Sequence, residues 1–253
     1  MPRTIQSIER AAAILRLLSG RSRRLGLVEL VGELGLPKGT VYGMLRTLMQ
    51  VGFVEQTESG KYQIGATLLH LGSSYLDGNE LRTRALNWSD WLAARSKESV
   101  RIGTVHDCQV LVVHHVFRPD DSPQTLEVGS LLPAHASAMG KALLANNPYM
   151  VTELTKSQLR RFTNATITDP GRLGMELDEV RQRGWAAELE ELVMGEASCA
   201  APIRDRRGAS VGAIAVSGPI ERLCDNGQPR AELISYVREG ARTISKDLGA
   251  IPW

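Results

Sequence analysis

Lys38, Tyr42, Arg46 and Gln50 lie within one short stretch and carry side chains suited to nucleic acid. At about 100° per residue, Gly39, Gly43, Arg46 and Gln50 share one side of a helix. Tyr42 lies beside them, Lys38 stands at the start and Thr40 flanks the first turn. Arginine and glutamine read base edges, whereas lysine and hydroxyl groups hold phosphates. Two glycines inside a helix cost roughly 1 kcal/mol each relative to alanine. A helix that lies close against another surface can use a face without side chains. The segment also fits an ordinary amphipathic surface helix, and its flanks must decide.

Enzymatic constellations carry less. The run His135-Ala136-Ser137-Ala138-Met139-Gly140-Lys141-Ala142 has a phosphate-loop look, but His135 replaces the first glycine and Ala142 the magnesium-binding hydroxyl. There is no Gly-x-Ser-x-Gly elbow, and Ser137 and Lys141 are one residue too far apart for Ser-x-x-Lys. His106, His114, His115 and His135 with Cys108 suggest a metal, yet adjacent His114 and His115 point to opposite faces of a strand. No cofactor is implied. The segment Pro133–Gly140 leads small residues into a helix start, where free N–H groups attract carboxylates and phosphates. A tightly packed turn needs the same small residues, so both readings stand at this point.

The elements around the first stretch favour DNA. Val41, Met44, Leu45 and Leu48 form the opposite, apolar stripe of the helix, and Pro37 suits its first turn. Residues 26–34 predict a preceding short helix, with a break at Gly35-Leu36. Two short helices joined by a glycine turn make a helix-turn-helix. Residues 7–18 predict an earlier helix with Ser7 as its N-cap. Residues 52–56 and 61–64 predict a hairpin across Thr57–Gly60, a wing with Lys61 near its tip. Residues 1–65 hold nine Lys/Arg against five acids, and the rest 21 against 23, so the basic charge sits on the small unit.

A short helix and a break at Asp77-Gly78-Asn79 follow, then a longer helix with Leu81, Ala85, Trp88, Trp91 and Leu92 in register. Both tryptophans are expected in a core or interface. From Val100 the pattern predicts strands: 100–105 and 109–116 as a hairpin, then 125–128, 185–190, 198–205 and 210–218. Helices are expected over 134–147, 155–162, 171–184 and 228–249. Antiparallel strands with flanking helices give an α+β class. No apolar run reaches the length of a membrane span and no cleavable signal pattern precedes Glu9 and Arg10, so a cytoplasmic location with no membrane partner is expected. Cys108, Cys199 and Cys224 have no metal spacing and read as free thiols.

The strings IQSIERAAAILRLLS, LGLPKGTVYGMLRTLMQVGFVEQ and GKYQIGATLLHLG resemble the DNA-binding domain of IclR-type transcription factors. LLPAHASAMGKALLA, ITDPGRLGMELDEVRQRGWAAELEE and AAPIRDRRGASVGAIAVSGP resemble that family's effector-binding domain. The resemblance implies a winged helix-turn-helix over residues 4–66, a linker over 67–80 and a GAF-like effector-binding domain over 81–250. It implies a metabolite-controlled repressor, dimeric or tetrameric, on double-stranded operator DNA. By motif it places the effector against Leu132, Ala138, Met139, Glu188, Ser198 and Ser217. Glu188 suits an anionic ligand only through a ligand hydroxyl. The chain departs from the family's usual serine at position 39 and larger polar residue at 43. More narrowly, VRIGTVHDCQVLVVHHVFRPDDSPQTLEVGS and ERLCDNGQPR resemble actinomycete glycerol operon regulators, which implies glycerol or glycerol 3-phosphate as effector. The alternative is a metabolic enzyme fused to a DNA-binding module.

Overall fold

The computed structural model describes residues 4–20 and 24–251, so Arg3, Arg21 and Arg23 of the basic count lie outside the described residues. Two compact units divide the chain, Met1–Gly78 and Asn79–Trp253. In the first, helices α1 (Gln6–Leu18), α2 (Leu27–Leu34) and α3 (Lys38–Gln50) precede strands β1 (Val54–Gln56) and β2 (Tyr62–Ile64) and helix α4 (Ala66–Asp77). Ile14, Leu18, Leu30, Val41, Leu45, Leu48, Val54 and Tyr62 close one core. Gly35 ends α2 with φ +62°, a left-handed cap that leaves only Leu36 and Pro37 before α3. The expected Ser7 cap is corrected: α1 begins one residue earlier, behind Ile5, with no side-chain cap. Pro37 likewise precedes α3 as its N-cap residue rather than lying inside the first turn.

The second unit opens with α5 (Glu80–Ser96), capped by Asn79, whose side chain accepts from the Arg82 amide. Strands β3 (Ser99–His106), β4 (Gln109–Val116) and β5 (Leu131–Pro133) lead to a 3-10 turn (Ala134–Ala136) and helices α6 (Ala138–Leu144), α7 (Pro148–Leu154) and α8 (Pro170–Arg183). Then come β6 (Ala186–Leu189), β7 (Glu196–Arg204), β8 (Ser210–Pro219), α9 (Ile220–Leu223), the small pair β9 (Cys224–Asp225) and β10 (Gln228–Pro229), and α10 (Ala231–Asp247). Six strands form one antiparallel sheet in the order β5-β4-β3-β8-β7-β6. Val110, Val112, Ala186, Ala200, Ala213 and Ala215 of one face share a core with Ala138, Met139 and Leu143 of α6 and Leu173 and Leu177 of α8. By strand alternation, Val100, Ile102, Ile214 and Val216 fill the other face, on which α5 and α10 pack.

Two expected elements are absent. Residues 155–162 are not helical; the helix lies upstream as α7, where Asn147 accepts from the Met150 amide and Pro148 fixes the first turn. The chain beyond Thr155 is irregular, with turns and bends, and is held by side chains instead, with the Thr163 and Thr166 hydroxyls donating to the Glu190 and Glu191 carbonyls at 2.6 Å each. Thr125–Val128 is not a strand either; on that side β4 pairs with β5 over Gln109–Leu111 and makes single bonds from Val112 to residues 129 and 130. The β3–β4 hairpin turns on Asp107 and Cys108, both with positive φ, and all three cysteines are free. Trp88 and Trp91 are half-buried; Trp91 meets Tyr236 of α10 edge-on at 6.3 Å.

A candidate DNA-reading helix and a polar row on the sheet

Helix α3 buries Val41, Leu45 and Leu48, and Met44 and Met49 pack half-buried against the same core. Lys38, Gly39, Tyr42, Gly43, Arg46 and Gln50 are exposed, Thr40 is half-buried, and Lys61 is exposed on the wing. A Cβ placed on Gly39 or Gly43 meets nothing within 4 Å, so among the described residues no packing calls for glycine there. Thr47 is exposed as well and donates its hydroxyl to the Gly43 carbonyl at 3.1 Å. Sequence reasoning passed over Thr47, although its position four residues after Gly43 carries the signal. The wing is pinned by the Thr57 amide donating to the Lys61 carbonyl at 2.8 Å and by a bridge from Leu25 to Tyr62.

In the second unit, strand register assembles a row. Ser217 pairs with Ser99 on one side and Ser198 on the other, and Ser198 pairs with Glu188. Directly paired residues share a face, and this row continues the face that packs on α6. Leu132, Ala138 and Met139 meet that same core, so the six residues named from the resemblance share one side of the sheet. Two glycines permit the closeness: a Cβ on Gly140 would lie 2.2 Å from the Ala134 carbonyl, and one on Gly103 would lie 3.1 Å from Met139 Sδ. The helix start is less free than expected, since Ser137 Oγ already accepts from the Gly140 amide at 3.2 Å.

The row is polar and buried. Glu188 Oε2 accepts from the Glu191 amide at 3.0 Å and the Leu192 amide at 3.4 Å, while Oε1 accepts from Ser198 Oγ at 3.3 Å. Burial nevertheless pushes its carboxyl up to about 7. Ser217 is 3% exposed, and its hydroxyl has no partner among the described residues. Lys141 of α6 is fully buried and ion-paired with Glu191, whose carboxyl burial raises against the pull of that lysine.

Sequence reasoning missed a second cluster on this face. Arg101 Nε lies 2.7 Å from Glu127 Oε2. His115 Nδ1 accepts from the Glu127 amide at 3.2 Å, so Nε2 carries the proton toward Ser99 Oγ at 2.8 Å. Burial, then Arg101, lowers the His115 pKa, which matches that neutral tautomer. His114 faces the other way, toward Arg82 and Asp90 of α5. The two adjacent histidines therefore cannot share one ion. Among the described residues, no group of three or more His, Cys, Asp or Glu is placed to hold a metal, and no helix is long and apolar enough to cross a membrane.

A winged helix-turn-helix followed by a sheet unit with a buried polar row is the architecture of a ligand-responsive DNA-binding regulator. The IclR helix-turn-helix domain matches residues 7–58, and the bacterial transcriptional regulator IclR C-terminal domain matches residues 73–246. The chain belongs to the IclR family of bacterial transcriptional regulators. It is 54% identical over 251 residues to the glycerol operon regulatory protein of Streptomyces coelicolor and 53% to that of Streptomyces griseus, each alignment covering 99% of both chains. The crystal structure of an IclR transcriptional regulator from Alicyclobacillus acidocaldarius shares the fold, with a TM-score of 0.82 at 24% identity over 98% of both chains.

Proposed function

We propose that this regulator represses a glycerol catabolic operon and that a small glycerol-derived metabolite, glycerol or glycerol 3-phosphate, binds the row of Ser217, Ser198 and Glu188. Leu132, Ala138 and Met139 complete the lining. The observation that carries the site is the Ser217 hydroxyl, buried without a partner beside a carboxylate and a second hydroxyl. A buried polar group left unpaired is costly, and a ligand hydroxyl relieves that cost. Glu188 suits a polyol, because its carboxylate accepts from a ligand hydroxyl without opposing charge. End-to-end identity of 54% to a glycerol operon regulatory protein supports the operon assignment. The protein acts by binding rather than turnover, and glycerol 3-phosphate recovered unchanged after incubation with purified protein is the expected outcome.

The test is a thermal melt of the full chain with millimolar glycerol or glycerol 3-phosphate, since a ligand above its dissociation constant stabilises the state it binds. One of the two raises the melting temperature, and Ser217→Ala reduces that shift while leaving the unliganded melt near its original value. A shift with an aromatic acid alone overturns the effector and keeps the site. No shift with any of these ligands rejects the site.

A further inference from the structure

At the end of β7 away from Ser198, the C-terminal end of α8, the end of β7 and the middle of α10 enclose a cleft of about 240 Å³. Ten residues line it; five are arginines (Arg181, Arg183, Arg204, Arg238 and Arg242) and none is acidic. Three of these guanidinium groups are aimed by neutral acceptors. Arg181 Nε donates to the Ala145 carbonyl at 2.8 Å, Arg183 Nε to the Trp185 carbonyl at 2.8 Å, and Arg204 to Asn146 Oδ1 at 3.2 Å. Arg183 also stacks over the Trp185 ring at 4.2 Å. The acids that pair with Arg181 and Arg183 are Asp178, Glu176 and Glu179, all on α8 and outside the lining.

Arg238 and Arg242 are different. They stand four residues apart on one face of α10, Arg238 half-buried and Arg242 exposed, and neither has an ion pair or hydrogen bond among the described residues. A second cavity of about 360 Å³ along α10 shares both of them and adds Glu239, which stands between them in sequence. Gathering like charges in one cleft is unfavourable unless an anion joins them, and a half-buried guanidinium screens poorly. The planar fork of arginine matches phosphate oxygens two at a time. The volume is below that of a drug-sized pocket and suits one or two phosphoryl groups.

We infer that this cleft is a second, separate anion site that takes the phosphoryl group of a small phosphorylated metabolite. Strand β7 gives Ala201, Pro202 and Arg204 to the cleft and Ser198 to the polar row, so one strand borders both sites. The two sites also divide the chemistry. The polar row holds a carboxyl and hydroxyl groups, with Arg101 and Lys141 already paired, whereas the cleft holds unpaired positive charge.

The experiment titrates inorganic pyrophosphate into the full chain by calorimetry, at ionic strength held constant with potassium chloride. Saturable binding near one site per chain is expected. Arg238→Gln/Arg242→Gln weakens it about tenfold or more, and Arg242→Gln alone, at an exposed position, weakens it less and serves if the double variant is unstable. Ser217→Ala leaves it unchanged, so failure of the polar-row reading does not carry over to the cleft. Binding that is absent, linear without saturation or equal in wild type and the double variant overturns the site. So does a double variant that loses affinity for non-specific duplex DNA while binding pyrophosphate as before, because the cleft would then serve nucleic acid.

Discussion

Burial pushes the Glu188 carboxyl up to about 7, and the Glu191 carboxylate adds to it; the amides of Glu191 and Leu192 and the charge of Lys141 pull the other way. The folded value lies above the unfolded one. Between them the folded chain binds a proton that the unfolded chain does not, so the stability this group contributes is complete below about pH 4.5 and is lost as pH rises through about 7. Glu188→Gln is neutral throughout and keeps an oxygen for the two amides. It is expected to stabilise the chain at pH 8 by on the order of 2–3 kcal/mol, raising the melting temperature by roughly 5 °C or more. At pH 5 the gain shrinks toward zero. Both proteins retain His115, whose lowered pKa works in the opposite sense as pH falls below its usual range, so their difference isolates Glu188. Equal shifts at pH 5 and pH 8 would refute the linkage. Glu188, Ser198 and Ser217 were named through the family resemblance, and strand pairing brings them into one row. Arg101, Glu127 and Ser99 were not, because their meeting depends on register across β3 and β4, which slips between Ile102 and Gly103, and on an irregular segment before β5.

Helix α3 pairs a stripe buried at Val41, Leu45 and Leu48 with an outer face on which Gly39, Tyr42, Gly43, Arg46 and Gln50 are exposed. If Gly43 exists for close approach to DNA, stability and binding must respond in opposite directions. Gly43→Ala is expected to raise chain stability by about 0.5–1 kcal/mol while weakening operator affinity, whereas Arg46→Ala weakens specific binding by about 1–3 kcal/mol with stability unchanged. Gel shifts at physiological salt beside thermal melts decide. Unchanged affinity in both variants would remove α3 from the interface. Elements like this were readable because their apolar period matches their final environment: the α3 stripe is the core, and the alternation of β3 and β4 is the sheet. Residues 155–162 failed because the Asn147-Pro148 start signal outweighed local propensity, and the stretch beyond is fixed by threonine hydroxyls reaching the Glu190–Glu191 carbonyls. Thr125–Val128 failed for a related reason. Its composition favours a strand, but the chain there bonds to the β4 backbone only through residues 129 and 130, and the Glu127 amide is spent on the His115 ring.

One recognition helix spans too few base pairs to choose a genomic site, so two must act on paired half-sites. The first unit carries an apolar surface suited to joining two copies. Helix α4 has no buried residue, yet Leu68, Leu71 and Tyr75 fall at i, i+3 and i+7 along it, with Leu69 76% exposed. Ile5 and Ile8 at the start of α1 are each 63% exposed. Apolar side chains so placed on a small unit mark an interaction surface more readily than a solvated one. The expected state is therefore a dimer or tetramer at micromolar concentration, formed in part through α1 and α4. Leu71→Glu/Tyr75→Glu should shift the chain toward monomer in multi-angle light scattering. The same variant should bind a full palindromic operator at least tenfold more weakly, while its affinity for an isolated half-site stays near that of the wild type. A wild-type chain that is monomeric both free and on operator DNA would refute the assembly. An oligomer untouched by the α4 variant would move the interface elsewhere.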